Sequence, residues 1–271
     1  APPARPSPIP PPNGVTPLNL LLVEDSEVNR EVAHILLTSW GHTVTMAENG
    51  LRALELLPTQ TFDAILMDCQ MPELDGYETT RRIRSSDHPG IPQNIHIIAM
   101  TANAMPGDRD ICLNVGMNDY VGKPIDESEL LAALQKAAQH RPTPPLPSPP
   151  PPEPEPSLAL DPPSTNPPPV NASRFPPRLA ALFVRETRKR HQEIITALEA
   201  ADLEAVARVA HTIKGTAGNF GADDLYQLCR QIETAARSGD LAAARETLPH
   251  LAQIVDSVCL AWSPHAEPAP A

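Results

Sequence analysis

The chain has 271 residues, and its 35 prolines far exceed the usual frequency of about 5%. Aromatic residues make up only 3%, so aliphatic side chains and methionine must fill the core. The formal net charge of -12 argues against a nucleic-acid-binding surface. The charge is uneven, because residues 18–140 carry 8 Lys and Arg against 18 Asp and Glu, whereas residues 174–262 carry 11 of each.

The cysteines have neither the spacing of a metal site nor that of a disulfide framework, so we expect reduced thiols at Cys69, Cys112, Cys229 and Cys259. Reduced thiols indicate a cytoplasmic location. No stretch is long and apolar enough to span a membrane, and no signal peptide is visible. The chain begins at Ala1 inside a proline-rich tract, which suggests a piece of a longer polypeptide. Such a parent protein could be anchored in the inner membrane.

Proline-rich tracts divide the chain. Residues 1–17 form a proline-rich lead that we expect to be disordered, and residues 141–173 contain too much proline for a helix or a central strand. As polyproline II, roughly 30 residues would span up to ~100 Å, so the second tract is expected to be a semi-stiff tether. It separates a first domain at 18–140 from a second at 174–262, and residues 263–271 form a tail.

Apolar runs and helical patterns alternate through the first domain. The patterns predict strands at 18–23, 43–47, 62–67, 95–100 and 119–121, and helices at 26–40, 50–57, 74–86, 107–115 and 127–139. The first helix has Ser26 as its N-cap and one apolar face formed by Val28, Val32, Ile35 and Leu36. Five strand–helix units predict a doubly wound, flavodoxin-like parallel sheet of five strands with helices on both faces.

Residues 174–262 show helical periodicity throughout. A first helix should run to about residue 200, and Asp202 should cap the second. A break at 221–224 should cap the third, and Asp240 should cap the last. Four main amphipathic helices with short turns predict a separate all-α domain, an antiparallel four-helix bundle.

Polar side chains stand at the ends of the predicted strands. Glu24 and Asp25 follow the first strand, and Asp68 follows the third. These ends meet at one edge of a parallel sheet, and clustered carboxylates repel unless a cation joins them, which suits Mg²⁺. Thr101 and Lys123 add a hydroxyl and an ammonium at the same edge. The set predicts a phosphoryl-transfer site.

Each of these residues also has a simpler interpretation when taken alone. Asp68, Thr101 or the Glu24–Asp25 pair could cap a turn or a helix, and Lys123 could be a solvated charge. Their joint occurrence at strand ends favours the phosphoryl-transfer site. A phosphatase with an aspartyl nucleophile is disfavoured, because such enzymes typically use Asp-x-Asp and position 70 is Gln.

Four segments resemble a response-regulator receiver domain over residues 18–140: LVED at 22–25, MDCQMP at 67–72, MTA at 100–102 and KPI at 123–125. The resemblance implies that Asp68 is the phosphoacceptor. It implies that Mg²⁺ is bound by Asp25, Asp68 and the backbone carbonyl of Gln70, with Glu24 assisting through water. It further implies that Thr101 contacts the phosphoryl group, that Lys123 pairs with it, and that Tyr120 is the aromatic switch residue.

One histidine of the second domain has unusual neighbours. His211 lies off the apolar stripe of its helix and is predicted to share one surface line with Lys214, Gly215 and Gly218. Glycine within a helix costs about 1 kcal/mol relative to alanine, so two of them beside one histidine indicate the close approach of a partner. Lys214 could neutralise a phosphoryl group on the imidazole. A surface histidine without such neighbours usually has no specific role.

The segment AHTIKGTA at 210–217 resembles the motif of histidine-phosphotransfer (HPt) domains, and the resemblance covers about 174–262. It implies that His211 is phosphorylated and that the domain has no ATP site. A receiver joined to an HPt domain implies a phosphorelay module. A kinase histidine would load Asp68, Asp68 would load His211, and His211 would load a separate response regulator.

No glycine-rich ATP-binding pattern occurs, so we expect phosphotransfer without a kinase core in this chain. The expected partners are a kinase core, upstream in the same polypeptide of a hybrid sensor histidine kinase, and a downstream receiver. Direct contact with nucleic acid or membrane is not expected. The alternatives are a free-standing relay protein, a phosphate sink that hydrolyses phosphorylated Asp68, and a docking scaffold that is never phosphorylated.

Overall fold

The structure is a computed structural model that describes residues 16–101, 106–140 and 175–263. The predicted tether at 141–173 lies outside the described residues, as do nearly all of the predicted lead at 1–17 and tail at 263–271. Within the described ranges, none of the helices combines the length and the hydropathy that a membrane span requires.

The first domain contains one sheet of five parallel strands in the order β2-β1-β3-β4-β5. The strands are β1 (Asn19–Val23), β2 (Thr43–Ala47), β3 (Ala64–Asp68), β4 (His96–Thr101) and β5 (Asp119–Gly122). The helices that alternate with them are α1 (Glu27–Ser39), α2 (Gly50–Leu56), α3 (Gly76–Arg84), α4 (Pro106–Asn114) and α5 (Glu127–Gln139). The predicted doubly wound parallel sheet is therefore confirmed.

The sheet is buried on both faces because successive side chains of each strand point to opposite sides. In β3, Ile65 and Met67 belong to the apolar cluster on one face, whereas Ala64 and Leu66 belong to the cluster on the other. All five residues of β3 are buried, including Asp68 at its carboxyl end. The central strand thus carries its only charged side chain to the edge where loops meet.

Helix α1 has two apolar faces, so the prediction of a single face was wrong. Leu36 packs against the same cluster as the fully buried Leu37, on the sheet. Val28 is 0% exposed and belongs to a different cluster, against which Val32 and Ile35 also pack. That cluster includes aromatic residues of the second domain. The outer face of α1 is therefore a contact between the two domains.

The second domain contains α6 (Pro177–Glu199), α7 (Leu203–Asn219), α8 (Asp223–Arg237), α9 (Leu241–Glu246) and α10 (Leu248–Trp262). The four long helices form the predicted bundle. Asp202 caps α7 as predicted, and its carboxylate accepts the N–H of Ala205 at 3.0 Å. The break before α8 supplies no side-chain cap, since Ala222 is the N-cap residue.

The predicted last helix is divided in two. Asp240 caps only the six-residue α9, and α10 begins at Leu248 with Pro249 in its first turn. Proline is tolerated there because the N–H groups of the first turn have no partner within the helix.

All four cysteines are buried free thiols, as predicted. The Sγ atoms of Cys69 and Cys112 are 3.9 Å apart, too far for a disulfide bond.

Candidate functional site

Three carboxylates meet at the carboxyl edge of the sheet. Glu24 and Asp25 follow β1 and Asp68 ends β3, its neighbour, and one carboxylate oxygen of each lies within 4.8 Å of the others. Lys123, which follows β5, places Nζ 2.6 Å from Oε2 of Glu24 and 2.8 Å from Oδ2 of Asp68. The structure thus brings together the acidic residues and the lysine that the sequence analysis singled out.

Burial makes this cluster electrostatically costly. Burial of Asp68, opposed by Lys123 and reinforced by Glu24, raises the pKa of Asp68 to about 8. Burial and then the charge of Glu24 raise the pKa of Asp25 to about 6. Burial acts to lower the pKa of Lys123, but Asp68 and Glu24 outweigh it and hold the pKa above its usual range. One ammonium among three carboxylates leaves an excess of negative charge, which fits a divalent cation held by oxygen ligands.

The other residues predicted for this site lie at different distances from Asp68. The N–H of Gln70 donates to Oδ1 of Asp68 at 3.1 Å. Thr101 is the buried last residue of β4, and its carbonyl accepts the N–H of Lys123 at 2.7 Å. Tyr120 lies one strand further out, half-buried on β5, with the guanidinium carbon of Arg109 5.7 Å from its ring centre. Gln70 therefore contacts Asp68 directly, and Thr101 contacts Lys123, which pairs with Asp68.

His211 on α7 is held by a carboxylate that the sequence analysis missed. Its Nδ1 lies 2.9 Å from Oε1 of Glu233 on α8. Lys214 Nζ is 2.6 Å from the other oxygen of Glu233, and Arg237 Nη2 is 2.8 Å from Oε1. His211 is 7% exposed and Lys214 is 3% exposed, so the prediction that they share a surface line was wrong: both are buried against Glu233.

This arrangement fixes the tautomer of the imidazole. Burial acts to raise the pKa of Glu233, but hydrogen bonds from His211 and Lys214 outweigh it and lower the pKa to about 2. The ionised carboxylate can only accept hydrogen bonds, so Nδ1 of His211 carries the proton and Nε2 keeps its lone pair. Burial also lowers the pKa of His211, which favours the neutral ring. Nε2 is therefore the ring nitrogen whose lone pair is available for a reaction.

The glycines beside His211 lie against the acidic site of the first domain. A Cβ on Gly215 would lie 3.3 Å from Nδ2 of Asn29 and 3.9 Å from Cδ of Lys123. A Cβ on Gly218 would lie 3.1 Å from the ring of Pro124. The absence of side chains at both positions lets α7 approach the loop that carries Lys123.

Hydrogen bonds connect the same two surfaces. Asn29 donates to Oε1 of Glu24 at 3.1 Å and accepts from Asn219 of α7 at 3.1 Å. Asn219 also accepts the N–H of Ile125 at 3.3 Å. Asn29 therefore links a carboxylate of the acidic cluster directly to the helix that carries His211.

A cavity of about 300 Å³ opens beside this contact. Its lining includes Asp25 and Glu73 from the first domain and Arg190, Arg208 and Thr212 from the second. The guanidinium groups provide positive charge next to the carboxylates, so the cavity can admit both a hydrated cation and an anionic phosphoryl group.

The fold and the site define a class of protein: a phosphotransfer protein in which an acidic α/β domain contacts a histidine on a helical bundle. A family model of the response regulator receiver domain matches residues 20–135, and a model of the Hpt domain matches residues 178–260. The chain belongs to the two-component signalling proteins and contains a receiver domain followed by an HPt domain.

Similar proteins are histidine kinases of greater length. The chain is 42% identical over 125 residues to hybrid signal transduction histidine kinase B of Dictyostelium discoideum, covering 43% of this chain and 6% of that protein. It is 38% identical over 136 residues to probable histidine kinase 4 of Oryza sativa subsp. japonica, covering 44% of this chain and 14% of that protein. The chain therefore spans a small part of these relatives.

A solved structure also resembles the first domain. It is the receiver domain of a sensor histidine kinase from Pseudomonas aeruginosa PAO1, determined with a magnesium ion in its active site cleft. The sequences are 45% identical, the match covers 46% of this chain and 99% of that one, and the TM-score is 0.41.

Proposed function

We propose that the chain relays a phosphoryl group from Asp68 to His211 and from His211 to a separate response regulator, after a kinase histidine has loaded Asp68. One observation carries the proposal: Lys123 pairs with Asp68 at 2.8 Å and also lies against the glycine face of α7, formed by Gly215 and Gly218 beside His211. The acceptor carboxylate and the nucleophilic imidazole thus share a neighbour across the domain contact.

This geometry supports the following transfer to His211. The lone pair of Nε2 attacks phosphorus, the bond from phosphorus to the carboxylate oxygen of Asp68 breaks, and its electron pair returns to Asp68. The ring keeps its proton on Nδ1 and becomes cationic. Glu233, held ionised, stabilises that cation, while Lys123 neutralises the carboxylate that is released. No other proton acceptor is needed.

Mg²⁺ fits the acidic cluster, and Glu24, Asp25, Asp68 and the carbonyl of Gln70 are the residues that would hold it. A bound ion would supply positive charge to the phosphoryl oxygens. The protein itself supplies Lys123 for the same purpose, and we propose that the hydroxyl of Thr101 contacts a phosphoryl oxygen.

Two residues, one predicted as catalytic and one as a switch, act in this proposal without contacting the phosphoryl group. Lys214 acts through Glu233, to which it is bound, and so supports the orientation of His211. Tyr120 stays a predicted switch residue, which would respond when Thr101 moves toward a phosphoryl group.

The similarity to histidine kinases supports an origin of this chain in the C-terminal part of a hybrid sensor histidine kinase. We propose that the two domains of this chain work in the cytoplasm, whether or not the parent protein is anchored in the inner membrane. We propose domain limits at 18–140 and 174–262, joined by the tether 141–173. The tether would keep the two sites at a high effective concentration and still let His211 reach a separate receiver.

Mapping of the phosphorylated residues tests the relay. The full chain is incubated with Mg²⁺ and a phosphorylated kinase core, and acid and base lability distinguish phosphohistidine from phosphoaspartate. Wild type is compared with Asp68→Ala and His211→Ala. We expect His211 to be labelled only when Asp68 is intact. Labelling of His211 in the Asp68→Ala variant would contradict an internal relay, and the absence of label on wild type with an active kinase would favour the scaffold.

A further inference from the structure

Two histidines contact each other at the end of the first domain that lies away from the acidic cluster. His96 is the first residue of β4, and His140 is the C-cap residue of α5. The ring centroids are 5.4 Å apart, and the ring planes are tilted by 37°. Because Thr101 at the other end of β4 lies beside the acidic cluster, the pair is one strand length away from that cluster. It therefore has no part in the proposed relay.

His96 has a buried nitrogen that lacks a partner. The residue is 7% exposed, and its Nε2 atom accepts or donates no hydrogen bond among the described residues. A buried polar atom without a partner is costly, so its position calls for a ligand, an ion or an ordered water. Burial also lowers the pKa of His96, which keeps the ring neutral. The neutral imidazole is the form that binds a metal ion.

His140 presents the complementary nitrogen. Its Nδ1 lies 2.8 Å from the carbonyl oxygen of Lys136, one turn earlier in α5. A carbonyl oxygen only accepts hydrogen bonds, so Nδ1 carries the proton and Nε2 keeps its lone pair. Histidines that bind metals are usually held in this way, with the other ring nitrogen donating to a backbone carbonyl or a carboxylate. Because His140 is exposed, an ion can reach it from the solvent.

The separation of the two rings fits one shared ion. An ion bound tetrahedrally by two imidazole nitrogens at about 2.0–2.1 Å holds the ring centres about 5 Å apart. We propose that His96 and His140 form a binding site for a divalent transition metal such as Zn²⁺, Ni²⁺ or Cu²⁺, with water in the remaining positions. Imidazole favours these ions, whereas Mg²⁺ prefers oxygen ligands, so the site differs in chemistry from the acidic cluster.

The charges around the pair limit its affinity. Asp119 attracts a cation at His96, whereas Arg84 and Lys136 repel it. Both basic groups have partners: Nε of Arg84 donates to the carbonyl of Gly116 at 2.8 Å, and Lys136 pairs with Asp119 at 2.7 Å. In the part of the chain that the structure describes, no third ligand completes a group of three here. The site should therefore bind more weakly than a structural zinc centre with four protein ligands.

A bound ion would act on the end of the first domain. Arg141, the residue after His140, begins the predicted tether. An ion shared with His96 would fasten the last turn of α5 to the start of β4. The metal would thus fix the point at which the chain leaves the first domain.

Titration of the full chain with Zn²⁺ tests the site. Mg²⁺ is kept in large excess to occupy the acidic cluster, and Zn²⁺ binding is followed by calorimetry and by the ¹⁵N NMR shifts of the histidine rings. Wild type is compared with His140→Ala and with His96→Phe, which keeps a ring in the buried position. The matched control is His250→Ala, which removes an exposed histidine of the second domain.

We expect Zn²⁺ to shift the Nε2 signals of His96 and His140 together, and either variant to weaken binding at this site by at least about tenfold. His250→Ala should bind like wild type. The site is ruled out if the two rings do not respond to Zn²⁺, which would leave the pair as a packing contact only. Wild-type affinity in His140→Ala, or an equal loss in the control, would overturn the proposal as well. His140 is exposed, so its variant decides the question even if His96→Phe does not fold.

Discussion

Nδ1 of His211 lies 2.9 Å from Oε1 of Glu233, and this contact decides which imidazole nitrogen can react. Glu233→Ala removes the acceptor that fixes the tautomer, so we expect the transfer from Asp68 to His211 to slow by roughly 100-fold. Glu233→Gln keeps an acceptor and should be affected less. Rapid-quench measurement of the single transfer step gives both rates. The exposed Glu246→Gln is the control, and a wild-type rate in a folded Glu233→Ala variant would contradict this role.

The pH profile of the same step offers a second test of Glu233. Burial lowers the pKa of His211 from 6.5, and Glu233 opposes that shift. The neutral, nucleophilic ring therefore persists below pH 6.5 in wild type. Glu233→Gln removes the opposing charge, so the decline in rate on the acid side should move to lower pH. A decline that moves to higher pH would show that Glu233 does not act on the ring in this way.

Substitutions on the glycine face should separate an effect on the stability of the bundle from an effect on the contact between the domains. Gly218→Ala places a methyl group 3.1 Å from the ring of Pro124, which cannot rotate away, whereas Gly215→Ala meets the end of the Asn29 side chain. Either alanine should leave the bundle as stable or up to about 1 kcal/mol more stable. We expect slower transfer to His211, more so for Gly218→Ala. Thermal unfolding and transfer rates check this. If the bundle were less stable, the slower transfer would be explained by a folding defect instead.

Lys123 stabilises the receiver because it pairs with two buried carboxylates. Lys123→Ala leaves Glu24 and Asp68 without their ammonium partner, and we expect a loss of about 3–5 kcal/mol in the free energy of unfolding. The control is Lys136→Ala, whose ion pair is exposed on the lysine side and should contribute at most about 1 kcal/mol. Urea denaturation of the receiver measures both. Equal losses in the two variants would contradict the argument.

The acidic cluster predicts how pH and Mg²⁺ act together. Because the pKa of Asp68 is raised from 3.8 to about 8, the folded receiver binds a proton more readily than the unfolded chain in that interval. Without metal, its stability should therefore fall as pH rises from about 4 to 8.

Mg²⁺ binds the ionised carboxylates, so it should raise the melting temperature more at pH 8 than at pH 6. Thermal unfolding in MgCl₂ and in EDTA checks this at both pH values. Asp68→Asn, which cannot titrate at this position, should show a weaker dependence on pH. An equal effect of Mg²⁺ at pH 6 and pH 8 would count against a site formed by these carboxylates.

Much of the first domain could be predicted because its periodicity and its chemistry are local. Buried apolar runs determine the strands, and the parallel sheet then brings Glu24, Asp25 and Asp68 together without further information. Lys123 follows from the same rule. The predicted strand limits differ from the observed ones by at most two residues, which affects none of these side chains.

The residues that the sequence analysis missed are those that depend on contacts between distant elements. Glu233 is 22 residues from His211 and on another helix, although a charged residue among the apolar positions Cys229, Ile232 and Ala236 was a signal that could have been used. Asn29 was missed because its importance depends on how the two domains dock.

The two faces of α1 have a consequence for the insulation of parallel signalling pathways in one cell. Ala33 and Leu37 hold the helix on the sheet, while Val28, Val32 and the flanking glutamates point to the other domain. Substitutions on the outer half of the helix would change this contact and leave the core of the first domain intact. Duplicated copies of such a module could therefore come to bind different partners while every variant along the way remains folded. A few substitutions at surface positions would then be enough to remove cross-talk between the copies.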